Sequence, residues 1–120
     1  SFCTGMPNYP AIYAIAAAFE YLHSVGVATI EAHADPLVRD CLDQLKTLPV
    51  ELLTVDEPGC LAGIISIRHP QAAQLYERLH AKQIHVMHHA GRLRVALHGY
   101  NTTDDVHRFL SALREALNEL

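Results

Sequence analysis

The sequence predicts an α+β domain in which a small, mostly antiparallel sheet is covered by helices. Three observations predict this class. Apolar residues recur at helical spacing in several long segments, shorter segments rich in β-branched residues lie between them, and turn-forming residues keep the connections short. The predicted order is helix, helix, strand, strand, helix, strand, strand, helix, or α-α-β-β-α-β-β-α.

Two helices are predicted in the N-terminal part of the chain. Residues 1–10 are rich in proline, with a glycine and an asparagine, and predict an N-terminal loop. Apolar residues at helical spacing predict a helix from Ala11, with Gly26 as the left-handed residue at its C-terminal end. A second helix is predicted from Thr29 to Leu48. Pro36 lies inside it and predicts a kink or a fresh start there, because proline removes a backbone hydrogen bond.

The central segments predict a hairpin and a third helix. Val50–Val55 and Leu61–Arg68 are apolar and rich in β-branched residues, and residues 56–59 between them have turn-forming character. These segments are therefore predicted as two strands. Pro70 is suited to the start of a helix, which is predicted to end near Lys82.

The C-terminal segments predict a second strand pair and a last helix. Ile84–Met87 and Leu93–Leu97 are predicted strands, joined by a turn at Ala90-Gly91. Thr102 or Thr103 is predicted to cap the last helix, whose first turn carries acidic residues that suit its dipole. Residues 11–120 are therefore expected to form one domain.

Composition excludes several classes of function. A formal charge of -4, with 9 Lys+Arg against 13 Asp+Glu, leaves no basic patch for nucleic acid. Ala11–Phe19, the longest strongly apolar stretch, is far shorter than the roughly 20 residues of a membrane span. The N-terminal residues lack the pattern of a signal peptide, so we expect a cytoplasmic protein with no membrane partner. Cys3, Cys41 and Cys60 match no zinc or disulfide pattern, and Cys41 is expected in the core.

Arg94 is the first candidate binding residue. Strand alternation places its side chain on the face opposite Leu93 and Val95. A guanidinium on a rigid strand suits bidentate binding of a carboxylate. From spacing alone, a solvated or salt-bridged surface arginine remains the other interpretation.

Four histidines lie near the predicted turn at Ala90-Gly91, namely His85, His88, His89 and His98. On a strand His85 and His89 would share a side while His88 faces the other. No cysteine or carboxylate accompanies them at metal-ligand spacing, so we expect no metal. His88 and His89 are candidates for substrate contact.

Two stretches of the chain resemble the class V aminotransferase family, the pyridoxal-phosphate group that includes cysteine desulfurases and isopenicillin N epimerase-like proteins. Phe2–Leu22 resembles the family's glycine-containing loop and the alanine-rich helix after it. Leu93–Phe109 (LRVALHGYNTTDDVHRF) is similar to the family's closing strand and helix, and its Tyr-Asn-Thr run is the more specific feature. The order of elements over residues 11–120 also resembles the family's small C-terminal domain.

The resemblance implies roles for particular residues. Arg94 stands where the family's arginine binds the α-carboxylate of an amino-acid substrate. In the family, the N-terminal loop contributes a Gly-Thr pair to the cofactor phosphate of the neighbouring subunit, which implies a homodimer. Here Gly5 matches the glycine, and Met6 stands in place of the threonine.

The resemblance also implies what this chain lacks. Family members hold pyridoxal phosphate in a large domain, through a lysine whose context neither Lys46 nor Lys82 matches. We therefore expect the large domain to be absent, and this chain alone to be neither cofactor-bound nor catalytic. Cysteine desulfurases carry a nucleophilic cysteine before the arginine strand, and His85–Arg92 has none, so desulfurase activity is disfavoured. Aminotransferase, epimerase and lyase activities stay open. The alternative is a stand-alone module that binds or senses small carboxylates; a structural interaction domain is a third possibility.

Overall fold

The fold is given by a computed structural model, which describes residues 8–57 and 59–120. Its elements are helices α1 (Tyr9–Val25) and α2 (Val27–Leu45), strands β1 (Glu51–Leu52) and β2 (Ile64–Arg68), helix α3 (Ala72–Ala81), strands β3 (Met87–His89) and β4 (Arg92–Ala96), and helix α4 (Thr103–Asn118). The predicted α+β class and the order of elements are confirmed. The predicted contacts of Gly5 and Met6 lie outside the described residues.

Helix α1 begins earlier than predicted. Tyr9 and Pro10 belong to the helix, because the side-chain oxygen of Asn8 accepts a hydrogen bond from the backbone N–H of Ala11 at 3.2 Å. Proline is favoured in a first helical turn, where its missing N–H has no partner to lose. The helix therefore begins at Tyr9 rather than at Ala11.

A single residue separates α1 from α2. Gly26 has φ +91° and ψ 127°, so its φ is positive as predicted but its ψ lies outside the left-handed helical region. The two helices are bent by 70° at this break. Among the described residues, no single helix is long and apolar enough to cross a membrane. Helices α1 and α2 have sufficient length and apolarity only when taken together as this bent pair.

Helix α2 is continuous through Pro36, so the predicted fresh start is wrong. The carbonyl that loses its partner belongs to Ala32, which is exposed, and water can take the place of the lost hydrogen bond. Every buried residue of α2 follows the proline: Leu37, Val38, Cys41, Leu42 and Leu45. Cys41 is fully buried as predicted, and burial raises the pKa of its thiol to about 12. The helix ends at Leu45, not Leu48.

The sheet is antiparallel throughout and has the order β1-β2-β4-β3. The predicted hairpin of the first two strands is confirmed, although both strands are shorter than predicted. Helix α3 begins at Ala72 rather than at Pro70. Strand β3 shares only Met87 with its predicted range of Ile84–Met87.

The position of β3 follows from the turn after it. Ala90 and Gly91 have φ of +51° and +76°, the pair of positive values typical of a two-residue hairpin turn. This turn sets His89 opposite Arg92 and Met87 opposite Arg94. Ile84 and Val86 pack against the core from a segment outside the sheet, which accounts for their apolar character.

The core lies between one face of the sheet and the helices α2, α3 and α4. The sheet and the residue directly after β4 contribute inward-facing apolar residues that are at most 8% exposed, namely Ile65, Ile67, Leu93, Val95 and Leu97. Helix α4 contributes six buried residues and begins with a complete capping box, in which Thr102 and Asp105 each accept from the other's backbone N–H. Thr102 is thus the cap. On the opposite face, called the uncovered face below, Arg92, Arg94 and Ala96 of β4 are exposed.

Candidate functional site

Arg94 lies on the uncovered face of the sheet, as the alternation of β4 predicts. Residues 92, 94 and 96 are exposed while Leu93 and Val95 are buried. The register places Ser66 of β2 on one side of Arg94 and Met87 of β3 on the other. The guanidinium donates to the Met87 sulfur, with Nη2 to Sδ at 2.9 Å.

No described carboxylate lies within 4.0 Å of the guanidinium nitrogens of Arg94 or of its neighbour Arg92. By contrast Arg68, on the same face, lies 3.5 Å from Glu51. The salt-bridged interpretation of Arg94 is therefore wrong within the described part of the chain. Its donors remain available to an external acceptor.

Arg94 borders an open depression of 840 Å³ at the β3 edge of the sheet. His88 also lines it, from the other face of the sheet, where its ring stacks on Tyr76 of α3 with centroids 5.6 Å apart. His89 does not line this depression. It lies on the uncovered face and lines a second depression of 210 Å³, which it shares with Arg92 and Arg94.

The prediction that His85 and His89 share a side is wrong. His85 precedes β3, and its ring meets His80 of α3 at 5.1 Å between centroids. His80 in turn stacks on Tyr76 at 5.8 Å, so the rings form a continuous row along the edge of the domain. Within residues 8–57 and 59–120, no group of three or more His, Cys, Asp or Glu side chains is arranged to hold a metal ion.

Asn101 organises the loop between β4 and α4, a role that sequence reasoning missed. Its side-chain oxygen accepts from the backbone N–H of His98 at 2.7 Å, and its amide nitrogen donates to Asp105 at 3.3 Å. Its backbone carbonyl lies 2.6 Å from Nε2 of His33, on α2. These contacts hold His98 and Tyr100, whose rings stack at 5.4 Å, at the rim of the larger depression.

Asp105 is fixed by the same network. The backbone N–H of Thr102, with the side chains of Asn101 and Thr102, stabilises its charged form and lowers the pKa of its carboxyl below the ordinary value. The Tyr-Asn-Thr run followed by the acidic pair therefore encodes both a loop and a helix start. That run was the available signal for Asn101, because a side-chain amide directly before a helix cap commonly bonds to the backbone.

The sequence profile of class V aminotransferases matches residues 1–109. The chain belongs to the class V aminotransferase family. Among curated relatives, it is 27% identical to the uncharacterized aminotransferase YcbU of Bacillus subtilis over 119 residues, which are 99% of this chain and 30% of that protein. It is 25% identical to a probable cysteine desulfurase of Pyrococcus abyssi, covering 99% of this chain and 33% of the relative.

Solved structures of the family share the fold. A cysteine desulfurase from Thermococcus onnurineus superposes with a TM-score of 0.89 and 25% identity, over 99% of this chain and 34% of the other. A NifS-like protein gives a TM-score of 0.84, also at 25% identity, over 98% of this chain and 35% of its own. The chain therefore spans about a third of the length of the relatives that it matches.

Proposed function

We propose that this chain is the small domain of a pyridoxal-phosphate-dependent class V enzyme, comprising residues 11–120, and that Arg94 binds the α-carboxylate of its amino-acid substrate. The observation that carries the proposal is the state of Arg94. It projects from a paired strand, borders a depression, and has no carboxylate partner among the described residues. A preorganised, unpaired guanidinium beside a concave surface is suited to bind an anion.

The support for Arg94 comes from the strands on both sides of it. Strand β4 is hydrogen-bonded to β2 and to β3, so the backbone of residue 94 lies in the interior of the sheet. Sites on such elements hold their side chains more closely than sites on loops. Met87 contacts the guanidinium through sulfur, a weak acceptor that a carboxylate would displace. No described residue therefore competes strongly with a ligand for the donors of Arg94.

His88 and His89 are proposed as further substrate contacts, and the two residues lie in different depressions. His88 shares the larger depression with Arg94 and is oriented by Tyr76. His89 shares only the smaller depression. A ring N–H on either residue can donate to a polar group of the substrate.

The cofactor itself does not fit the described residues of this chain. Lys46 donates to Asp56 and Lys82 donates to Glu115, and neither lysine lines the depression beside Arg94. In this family the cofactor acts as the electron sink of the reaction. We propose that the rest of the protein holds it, and that this chain contributes substrate binding. No described residue of this chain is proposed to be catalytic.

Helix α1 supports the proposal that a larger part of the same protein is the partner. None of its residues is buried, although it carries large apolar side chains that are at least 38% exposed, namely Tyr9, Ile12, Tyr13, Ile15, Phe19, Tyr21, Leu22 and Val25. An apolar surface of this kind marks a contact site. Since the matched structures are about three times as long, we propose that their additional part has a counterpart that covers α1, and that the whole protein is a homodimer.

The reaction is proposed to be transamination, epimerisation or elimination rather than desulfuration. The segment His85–Arg92, which precedes and includes the start of β4, contains no cysteine. Cys41 is fully buried and its raised pKa keeps the thiol protonated, so it is unsuited as a nucleophile.

The test is made on the whole protein that contains this chain. We expect a visible absorption band from bound pyridoxal phosphate, and we expect Arg94→Gln to retain the band while kcat/KM for the amino-acid substrate falls about 100-fold, because a charge-assisted hydrogen-bond pair is lost. Arg68→Gln, on the same face but paired with Glu51, is the control and should change little. A colourless protein that still binds small carboxylates through Arg94 would support the stand-alone binding module instead.

A second test concerns α1 in the 120-residue chain. We expect this chain to self-associate in sedimentation velocity, and Phe19→Ser to shift it toward monomer because the substitution removes apolar surface from α1. Tyr100→Ser is the control, since Tyr100 is 79% exposed but lies in the loop after β4. A clean monomer for the unsubstituted chain would argue against a docking role for α1.

A further inference from the structure

The uncovered face of the sheet carries a second set of hydrogen-bond donors beside Arg94, which His89 and Arg92 supply. The turn at Ala90-Gly91 makes His89 and Arg92 direct cross-strand partners, so their side chains leave the same face with Cβ atoms about 5 Å apart. Arg92 and Arg94 are alternate residues of β4 and also share that face, about 7 Å apart along the strand. The hairpin thus gathers these side chains beside one another.

A depression lies at this place. Its volume is 210 Å³, and its lining consists of Ser66, Met87, His89, Arg92 and Arg94. The described residues that line it offer hydroxyl, imidazole and guanidinium donors and include no carboxylate. A small anion held there would meet donors from β2, β3 and β4 at once.

The charges of this face are unbalanced. Arg68 lies directly opposite Arg92 in the register, and like charges in that position repel each other. Arg68 is compensated by Glu51 at 3.5 Å, whereas no described carboxylate approaches Arg92 or Arg94. Two adjacent uncompensated guanidinium groups are a costly arrangement that a bound anion would relieve. One carboxylate at Arg94 would leave the charge of Arg92 uncompensated.

We propose that Arg92 and His89 form a second anion-binding subsite, so that the substrate is a dicarboxylic amino acid or its oxo acid. The inference rests on the proposed function in that Arg94 binds the first carboxylate. Arg92 binds the second carboxylate, and the ring N–H of His89 donates to it. A polyanion is a poor occupant, because the whole chain is acidic and the depression accommodates only a small group.

The test compares two ligands of equal chain length on the whole cofactor-loaded protein. Titration calorimetry measures the affinity for 2-oxoglutarate and for 2-oxopentanoate, which differ only in the second carboxylate. We expect the protein to prefer 2-oxoglutarate by at least about tenfold, the effect of a charge-assisted hydrogen bond. Arg92→Gln should abolish this preference and leave the affinity for 2-oxopentanoate within about twofold, whereas Arg68→Gln should alter neither.

Arg94→Gln separates the two proposals. It should weaken both ligands alike, because both carry the first carboxylate. If Arg94→Gln changes neither affinity while Arg92→Gln still abolishes the preference, the role of Arg94 is wrong and the subsite at Arg92 stands. The dicarboxylate inference is overturned if the unsubstituted protein shows no preference for 2-oxoglutarate, or if Arg92→Gln weakens the binding of both ligands equally. The absence of a preference would result if a carboxylate from the rest of the protein neutralised Arg92.

Discussion

Helices α1 and α4 have nearly equal lengths, 17 and 16 residues, and opposite relations to the rest of the molecule. Helix α4 is amphipathic, and its apolar stripe accounts for six buried residues. Helix α1 is more apolar, yet none of its residues is buried. A phenylalanine lies near the middle of each: Phe109 is 6% exposed and Phe19 is 66% exposed.

The difference shows that apolar content and burial are separate properties of a helix. A narrow apolar stripe indicates one partner surface, and for α4 that surface is the sheet and its neighbouring helices. A helix that is apolar on most sides indicates burial on most sides, and α1 contacts little besides α2 among the described residues. The stability of the chain should therefore be concentrated in the half that contains α4.

The largest expected effect tests this division directly with the matched phenylalanines. Phe109→Ala should lower the free energy of unfolding of the 120-residue chain by about 3–5 kcal/mol, since it leaves a cavity in the core. Phe19→Ala should change it by no more than about 0.5 kcal/mol, as for an ordinary surface site. Urea unfolding followed by circular dichroism measures both. Equal losses would mean that α1 is buried in solution.

The next effect compares the two helix caps. Thr102→Ala removes the acceptor for the Asp105 backbone N–H and should lower the free energy of unfolding by about 1 kcal/mol. Asn8→Ala removes the acceptor for Ala11 in the same way, but the loss should appear only as fraying of α1. Amide hydrogen exchange distinguishes the two variants. Exchange should become faster throughout the core in Thr102→Ala, but only in the first turns of α1 in Asn8→Ala. Core-wide acceleration by Asn8→Ala would contradict the division.

The smallest effect is a dependence on pH that belongs to α4. Because the folded-state pKa of Asp105 is lowered, its contribution to stability is fully present above its unfolded-state value and is lost as the pH falls through its folded-state pKa. Asp105→Asn should flatten the corresponding part of the acid limb of thermal unfolding below about pH 4. Asp56, whose pKa is lowered by Lys46 and then by Arg39, should leave a residual slope. An unchanged acid limb in Asp105→Asn would show that the cap network does not form.

The sequence predicted those features whose signals are local. The alternation of β4 and the turn at Ala90-Gly91 depend on neighbouring residues, and both are confirmed. The helix cap also has a local signal, which predicted Thr102 or Thr103, and the structure has Thr102. The range of β3 was wrong because the apolarity of Ile84 and Val86 reports burial, not hydrogen bonding within the sheet. The two-residue turn at Ala90-Gly91 was the better predictor of where β3 lies, because it pairs His89 with Arg92.

The candidate site was also predictable only where its signals are local in the sequence. The face of Arg94 follows from alternation along one strand, and its orientation away from the core was correctly predicted. Ser66 and Tyr76 come from β2 and α3, and their places beside the hairpin depend on packing between distant segments. Their contribution therefore had no local signal. Substrate contact by His88 and His89 stays a prediction.

Gly26 has a practical consequence for how the molecule can be divided. It is the single residue between α1 and α2, and its φ of +91° would be strained for any other residue type. The break between the two helices is therefore fixed at this position. Among the residues that the structure describes, every buried core residue lies at position 37 or beyond. A polypeptide trimmed to begin at Val27 would thus keep the whole core, the capping box and the arginine-bearing hairpin while losing the exposed apolar helix. Such a minimal unit would be suited to residue-by-residue NMR mapping of anion binding.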